Sequence, residues 1–342
     1  MKQEDWWLVF YMEVCEMTLI EVINVKQYFP VAAGFVEQLV SRKREFVRAV
    51  DDVSFTIKKG EVLGLAGESG SGKTTMGRMC VRLIKPTDGQ IIYNERDIAK
   101  IEGKELRLLR RRIQFTFQDP TSSLNPRLGI GDAIADALRL QGIGTPPERK
   151  ERAEAVLERV GLSPASSFYD RRPHQLSGGQ KQRVVFGRAI IMDPEFVVTD
   201  EPVAMVDVSI KAQLLELMMD LKKELDLTYL FISHDLATAR HVCDRIAILY
   251  LGKLIELGEK NQIYEEPLHP YTEGLISAIP VPDPKAKKSE KVPRGEIPSP
   301  INPPSGCRFH PRCPKAFDRC PEEEPELKDQ GNDHFVACHL YG

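Results

Sequence analysis

From Thr18 onward the chain is punctuated by short apolar stretches with strand character. These are Leu19-Ile20-Glu21-Val22, an alternating run over residues 50–57, and the uninterrupted Val62-Leu63-Gly64-Leu65-Ala66. The third is apolar throughout, as a strand buried on both faces is, and it runs into a glycine-rich turn followed by a helical pattern over residues 75–84. Residues 148–160 and 210–225 carry apolar positions at helical spacing and predict amphipathic helices. Two more apolar strands, Phe196-Val197-Val198-Thr199 and Tyr229-Leu230-Phe231-Ile232, each end in acidic or histidine-containing turns. Strands that deliver polar residues at their carboxyl ends predict a parallel sheet in an α/β domain. Residues 280–304 are crowded with proline and lysine, cannot sustain regular structure and predict a linker at a domain boundary. There is no internal repeat and no long heptad pattern.

With 342 residues, the chain has room for one large α/β domain and a smaller appendage. A net charge of -3 and a pI near 6.2 exclude the basic excess of a generic nucleic-acid binder, so any phosphate binding must be local. The longest apolar run, residues 6–12, falls well short of the roughly eighteen residues a membrane-spanning helix requires. It lacks the basic start and small-residue cleavage site of a secretory signal, so residues 1–16 are expected to be an N-terminal extension, with Met17 an alternative start. The expected setting is therefore a reducing one, in which clustered cysteines serve as metal ligands rather than disulfides.

The string Gly67-Glu68-Ser69-Gly70-Ser71-Gly72-Lys73-Thr74 has the phosphate-loop pattern, in which glycines let backbone N–H groups approach phosphate oxygens. A glycine turn alone would mean little; the strand before it and the helix after it give it meaning. Lys73 is expected at the β- and γ-phosphates of ATP and Thr74 on Mg²⁺. Gly67, Ser69, Gly70, Gly72 and Thr75 complete the contacts, and the helix start faces the triphosphate. Asp200-Glu201 then supplies two carboxylates on opposite faces: Asp200 for Mg²⁺ and Glu201 to polarise the attacking water.

At Leu176-Ser177-Gly178-Gly179-Gln180 the chain resembles the ABC ATPase family, whose signature sequence this is, over about residues 18–280. The resemblance implies a RecA-like P-loop core with an antiparallel β subdomain and a helical subdomain near 119–185. It also implies two cassettes closing head to tail, so that Ser177, Gly178, Gly179 and Gln180 of one chain cap the ATP held by the other. Gln118 would sense Mg²⁺ and the attacking water, His234 would contact the γ-phosphate, and an aromatic would stack on adenine, here Phe46 in preference to Tyr28. After Glu201-Pro202 the family's usual Thr-Ser-Ala-Leu-Asp is replaced by Val203-Ala204-Met205-Val206-Asp207. The aspartate, Asp207, remains; the hydroxyls do not.

Residues 117–127, Tyr250-Leu251-Gly252-Lys253 and His269-Pro270-Tyr271-Thr272 are similar to the dipeptide and oligopeptide importer subfamily. The resemblance implies a subunit bound to the cytoplasmic face of the membrane, powering uptake of peptides. Its implied partners are a paralogous ATPase subunit, two membrane-spanning permease subunits and an external substrate-binding protein, with no nucleic acid. Relatives that carry oligosaccharides keep that substrate open. A soluble ABC ATPase of translation or DNA repair is disfavoured, because neither a second cassette nor a long coiled coil is present.

Residues 281–342 form the linker and a cysteine-rich extension, in which Cys307, Cys313, Cys320 and Cys338 are separated by five, six and seventeen residues. Four thiolates suit an iron–sulfur cluster or structural Zn²⁺, and the lack of close Cys-x-x-Cys pairs favours iron. The subfamily resemblance agrees, implying a 4Fe-4S cluster. His310, His334 and His339 are possible substitute ligands, while Cys15, Cys80 and Cys243 are isolated and expected in packing roles.

Overall fold

A computed structural model describes residues 18–31, 45–204, 206–279 and 295–342. The chain opens with two long strands, β1 (Thr18–Pro30) and β2 (Phe46–Lys58), followed by β3 (Val62–Ala66) and helix α1 (Lys73–Cys80). Next come β4 (Asp88–Tyr93), β5 (Arg96–Asp97), α2 (Gly103–Arg112) and β6 (Ile113–Thr116). A helical stretch follows: α3 (Pro120–Ser123), α4 (Ile130–Gln141), α5 (Pro146–Arg159), α6 (Ala165–Phe168) and α7 (Gly178–Ile190). The chain then alternates through β7 (Phe196–Asp200), α8 (Val208–Leu225), β8 (Thr228–Ser233) and α9 (Leu236–Val242). β9 (Arg245–Tyr250), β10 (Lys253–Glu259), α10 (Lys260–Glu265) and α11 (Pro270–Ser277) end this part. Among the described residues, no helix is long and apolar enough to cross a membrane.

Two sheets form. One is antiparallel in the order β2-β1-β4-β5, and the other runs β10-β9-β3-β8-β7-β6. The second is parallel from β9 to β6, and β10 joins it antiparallel to β9. Alternation along these strands divides the interior into two layers. Leu63, Leu65, Phe196, Val198, Leu230 and Ile232 pack with Met76 and Met79 of α1 and with the antiparallel sheet. Val197, Tyr229 and Phe231 face the other way, onto Leu214 and Met218 of α8 and the helical part around Ile134 and Leu157. Both faces being covered is what makes these strands apolar throughout.

The helix boundaries depart from the apolar pattern for identifiable reasons. α1 ends at Cys80 although the pattern continues to Ile84, because Arg82 takes a left-handed φ of 55° and its guanidinium donates to the Ile98 and Ile101 carbonyls at 2.7 and 3.1 Å. α5 begins two residues before the expected position. Pro146 fits the first turn, and Thr145 and Glu148 close a capping box, the Thr145 N–H lying 2.6 Å from the Glu148 carboxylate.

The cysteine-rich segment does not stand apart from the sheet. Two short strands, β11 (Lys328–Asp329) and β12 (Phe335–Val336), extend it, with β12 antiparallel to β10 through Glu256↔Val336 and Leu257↔Phe335. Phe309 is fully buried in edge contact with Tyr250 and Tyr271, both centroids 5.3 Å away. His334 adds a polar tie at 2.9 Å from the buried Glu256 carboxylate.

α1 lies so close to the sheet that a Cβ on Gly77 would sit 2.5 Å from Ile232 Cδ1 and 2.9 Å from Val198 Cγ1. Gly77→Ala is therefore expected to destabilise the chain by about 1–3 kcal/mol through overpacking, seen as a lower thermal midpoint. An unchanged midpoint would mean that α1 can move off the sheet freely.

Candidate nucleotide site

The buried strand β3 delivers the glycine-rich loop into a seat between two backbones. A Cβ on Gly67 (φ 144°) would lie 2.2 Å from the Leu249 carbonyl oxygen, and one on Gly72 (φ 105°) 2.2 Å from that of Ala49. Only glycine fits either position. The Lys73 ammonium folds over the loop and donates to the Gly67 and Glu68 carbonyls at 2.7 and 2.8 Å. Burial pulls its pKa down, while the carboxylates of Glu201, Asp200 and Glu68 oppose that pull. A buried ammonium held by two loop carbonyls and, at 3.4 Å, the Ser71 hydroxyl is poised for an anion. Thr74 Oγ1 donates to Asp200 Oδ1 at 3.0 Å. Burial pushes the Asp200 carboxyl up, against the hydrogen bond from Thr74. A hydroxyl beside a carboxylate is an oxygen donor set that suits Mg²⁺.

β6, β7 and β8 are parallel neighbours, so their carboxyl ends lie side by side. The three residues expected to handle water sit just beyond those ends and converge. Gln118 Nε2 donates to Glu201 Oε2 at 2.6 Å, and His234 Nδ1 lies 2.7 Å from Glu201 Oε1. Glu201 itself takes a left-handed φ of 47°, anchored by its N–H to the Ile232 carbonyl at 3.0 Å. A non-glycine residue in that region stores local strain, which aims the carboxylate off the strand axis.

Ser177 caps α7 and forms a capping box with Gln180, whose side chain accepts from the Ser177 N–H at 3.0 Å. Ser177 and Gly178 face solvent, while a Cβ on Gly179 would meet Ile210 of α8 at 2.6 Å. Asp207 stands at the N-terminal end of α8 without a side-chain capping bond and is exposed, and the following Val208 is 85% exposed. Met205 lies outside the described residues.

The aromatics considered for adenine stacking sit at the outer end of the β1–β2 ribbon. Phe46 opposes Pro30 and is 40% exposed, and Phe29 opposes Val47 and is 36% exposed. Tyr28 is committed elsewhere, its hydroxyl donating to Asp51.

In the extension, the Cys307 N–H donates to the Cys320 carbonyl at 2.8 Å. Burial pushes the Cys307 thiol up to about 11, and Cys338, Cys320 and Cys313 add to that shift. Cys313 and Cys338 are also pushed up by burial, each with Cys320 among the neighbours that add to it. Among the described residues, however, no group of three or more His, Cys, Asp or Glu side chains is arranged to hold a metal ion. The histidines have other partners: His310 the Cys307 carbonyl, His334 the Glu256 carboxylate and His339 the Glu323 carbonyl. Cys80 and Cys243 are fully buried packing residues, and Cys15 lies outside the described residues.

Three side chains to which the sequence reading gave no site role also reach the loop region: Tyr271 of the His269–Thr272 string, whose hydroxyl accepts from the Glu68 N–H at 2.9 Å, and Arg308 and Arg312 of the extension. Ion pairs spanning more than two hundred residues leave no spacing signal.

Comparison with known proteins gives two family matches: ABC transporter over residues 50–204, and the C-terminal region of oligopeptide/dipeptide transporters over residues 255–320. The oligopeptide transport ATP-binding protein AppF of Bacillus subtilis is 49% identical over 327 residues, covering 95% of this chain and 98% of its own. A putative peptide import ATP-binding protein of Brucella ovis is 51% identical over 292 residues, covering 85% of this chain and 92% of its own. Among solved structures, a dimeric ATP-binding cassette in a post-hydrolysis state, bound to ADP and phosphate, aligns with a TM-score of 0.61. It is 29% identical and covers 70% of this chain and 98% of its own. The chain belongs to the ABC transporter family, as an ATP-binding cassette of the oligopeptide/dipeptide transporter type.

Proposed function

We propose that this chain is the ATP-hydrolysing subunit that powers a peptide importer from the cytoplasmic face of a membrane. The ATPase activity goes with the cassette family, and the convergence of Gln118 and His234 on Glu201 is the observation that carries the mechanism. The peptide cargo is supported by relatives named for peptide and oligopeptide transport.

In this reading Gly67, Ser69, Gly70, Gly72 and Thr75 cradle the phosphates with backbone and hydroxyl donors. Lys73 exchanges its loop carbonyls for β- and γ-phosphate oxygens. Thr74, Asp200 and Gln118 would hold Mg²⁺, which neutralises charge developing on the transferred phosphoryl group. Glu201, gripped from two sides, orients water for in-line attack on the γ-phosphorus, and His234 contacts the γ-phosphate. Phe46 stacks on the adenine.

The exposure of Ser177, Gly178, Asp207 and Val208 supports a second cassette closing over the nucleotide, so that each chain builds half of each site, and the subfamily resemblance makes that second cassette a paralogous subunit. Two permease subunits and an external substrate-binding protein complete the assembly. The cassette spans residues 17–280, with its helical subdomain at about 119–185, and residues 281–342 form the linker and extension. For the extension, the sequence pattern of four cysteines with no close Cys-x-x-Cys pair favours a 4Fe-4S cluster held by Cys307, Cys313, Cys320 and Cys338, ahead of Zn²⁺.

With permeases and binding protein in proteoliposomes, ATP turnover should rise on adding di- and oligopeptides; stimulation by oligosaccharides alone would reassign the cargo. Glu201→Gln should keep nucleotide binding and lose turnover by about 10²–10⁴-fold in that assembly, whereas undiminished turnover would remove Glu201 from its role. Asp200→Asn carries an opposite pair of effects. A carboxyl whose folded pKa is raised opposes folding once ionised, so at neutral pH the neutral variant should raise the nucleotide-free melting midpoint while abolishing Mg²⁺-dependent turnover. Protein purified without oxygen should contain about four irons and four acid-labile sulfides per chain; one zinc and no sulfide would make the extension a structural clip.

A further inference from the structure

Two arginines of the extension flank its first two cysteines in sequence, Arg308 directly after Cys307 and Arg312 directly before Cys313. Both guanidinium groups reach beyond the extension, Arg312 to Glu68 of the phosphate loop and Arg308 to Leu251 and Asp51 beside it. Arg312 is 8% exposed and forms a two-pronged pair with Glu68, Nη1 to Oε2 at 2.7 Å and Nη2 to Oε1 at 3.1 Å. Glu68 is the second residue of the phosphate loop, and its carbonyl receives the Lys73 ammonium while its N–H is held by Tyr271. The Arg312 guanidinium also lies over the Tyr250 ring at 5.8 Å, and Tyr250 is in edge contact with Tyr271 at 4.8 Å.

Arg308 grips the other side of the loop's seat. It donates to the Leu251 carbonyl and to Asp51. Burial disfavours the Asp51 carboxylate, yet the Tyr28 hydroxyl and Arg308 outweigh it and hold its pKa below the ordinary value. The Asp51 N–H donates to the Gly252 carbonyl at 2.9 Å, and the Gly252 N–H donates to the Ser71 carbonyl within the phosphate loop at 3.0 Å.

An extension that merely needed docking already has a buried aromatic, Phe309, and a strand pairing for that purpose. A buried guanidinium paired to a side chain of the phosphate loop itself adds a geometric constraint that docking does not require.

We propose that Arg312, supported by Arg308, is a positioning residue for the phosphate loop, so that nucleotide affinity is coupled to the folded state of the cysteine-rich extension. The coupling is reciprocal: nucleotide bound to the loop stabilises the extension by the same free energy. The inference rests on reading residues 67–74 as the nucleotide site.

The test uses the full-length chain, a fluorescent ATP analogue with Mg²⁺, and thermal melts of each variant. Arg312→Ala should weaken nucleotide binding roughly ten-fold, and Arg312→Lys, which keeps the charge without the fork, should recover only part of it. Glu68→Ala leaves the extension's own residues intact and should give a similar loss, with the double variant no worse than either single one. In the unmodified chain, nucleotide should slow amide hydrogen exchange across residues 307–341, and Glu68→Ala should abolish that slowing. Wild-type affinity in Glu68→Ala, fully additive losses in the double variant, or exchange in the extension indifferent to nucleotide would each overturn the proposal. Should Arg312→Ala fail to fold, Glu68→Ala and the exchange measurement still decide. Lys73→Ala separates the two ideas: unimpaired nucleotide binding there would sink the site itself, not the coupling.

Discussion

The glycine-rich loop is wedged between the carbonyl of Ala49 on one side and that of Leu249 on the other, with no room for a side chain at Gly67 or Gly72. Much of the nucleotide site follows from that wedge. The Glu68 N–H is held by Tyr271 and the Ser71 N–H by the Glu68 carbonyl, while Lys73 rests on the Gly67 and Glu68 carbonyls. The Ala49 and Leu249 carbonyls belong to β2 and β9, one in each sheet. The loop therefore registers the relative position of the antiparallel sheet and the parallel one, and the apolar layer of α1 between them keeps that position fixed.

A second constraint is the parallel order of β6, β7 and β8. Their shared direction brings three separate loops to one edge, so Gln118, Glu201 and His234 meet although the first and last are more than a hundred residues apart. The left-handed backbone at Glu201 turns the carboxylate away from its neighbour Asp200. Two adjacent acids thus have different surroundings: one is buried against Thr74, the other meets Gln118 and His234.

The parts legible in the sequence were those with a local code. A glycine-rich turn between a buried strand and a helix, an acidic pair after an apolar strand, and the signature before α7 are all contiguous strings whose chemistry depends on neighbours a few residues away. The sheet's parallel character was legible for the same reason, since strands covered on both faces are apolar throughout. What escaped was non-local. The pairing of β12 with β10 involves two residues on each strand, too few for a periodic signal. The Arg312–Glu68 fork joins residues 244 positions apart. Helix ends were misjudged where a single side chain, such as Arg82 reaching the Ile98 carbonyl, outweighed a continuing apolar pattern.

The small ladder of β12 and β11 has a consequence for solubility. Without it β10 would be the rim of the large sheet, a seven-residue strand with buried Leu254, Ile255 and Leu257 and a free row of backbone donors and acceptors. Such a rim is a template for another chain's strand. β12 occupies part of it, and the ladder then ends in β11, two exposed residues, Lys328 and Asp329, too short and too charged to template anything further. The same segment that reaches the phosphate loop thus shields the rim of the sheet, and a chain clipped before it would tend to self-associate through β10 before it lost its fold.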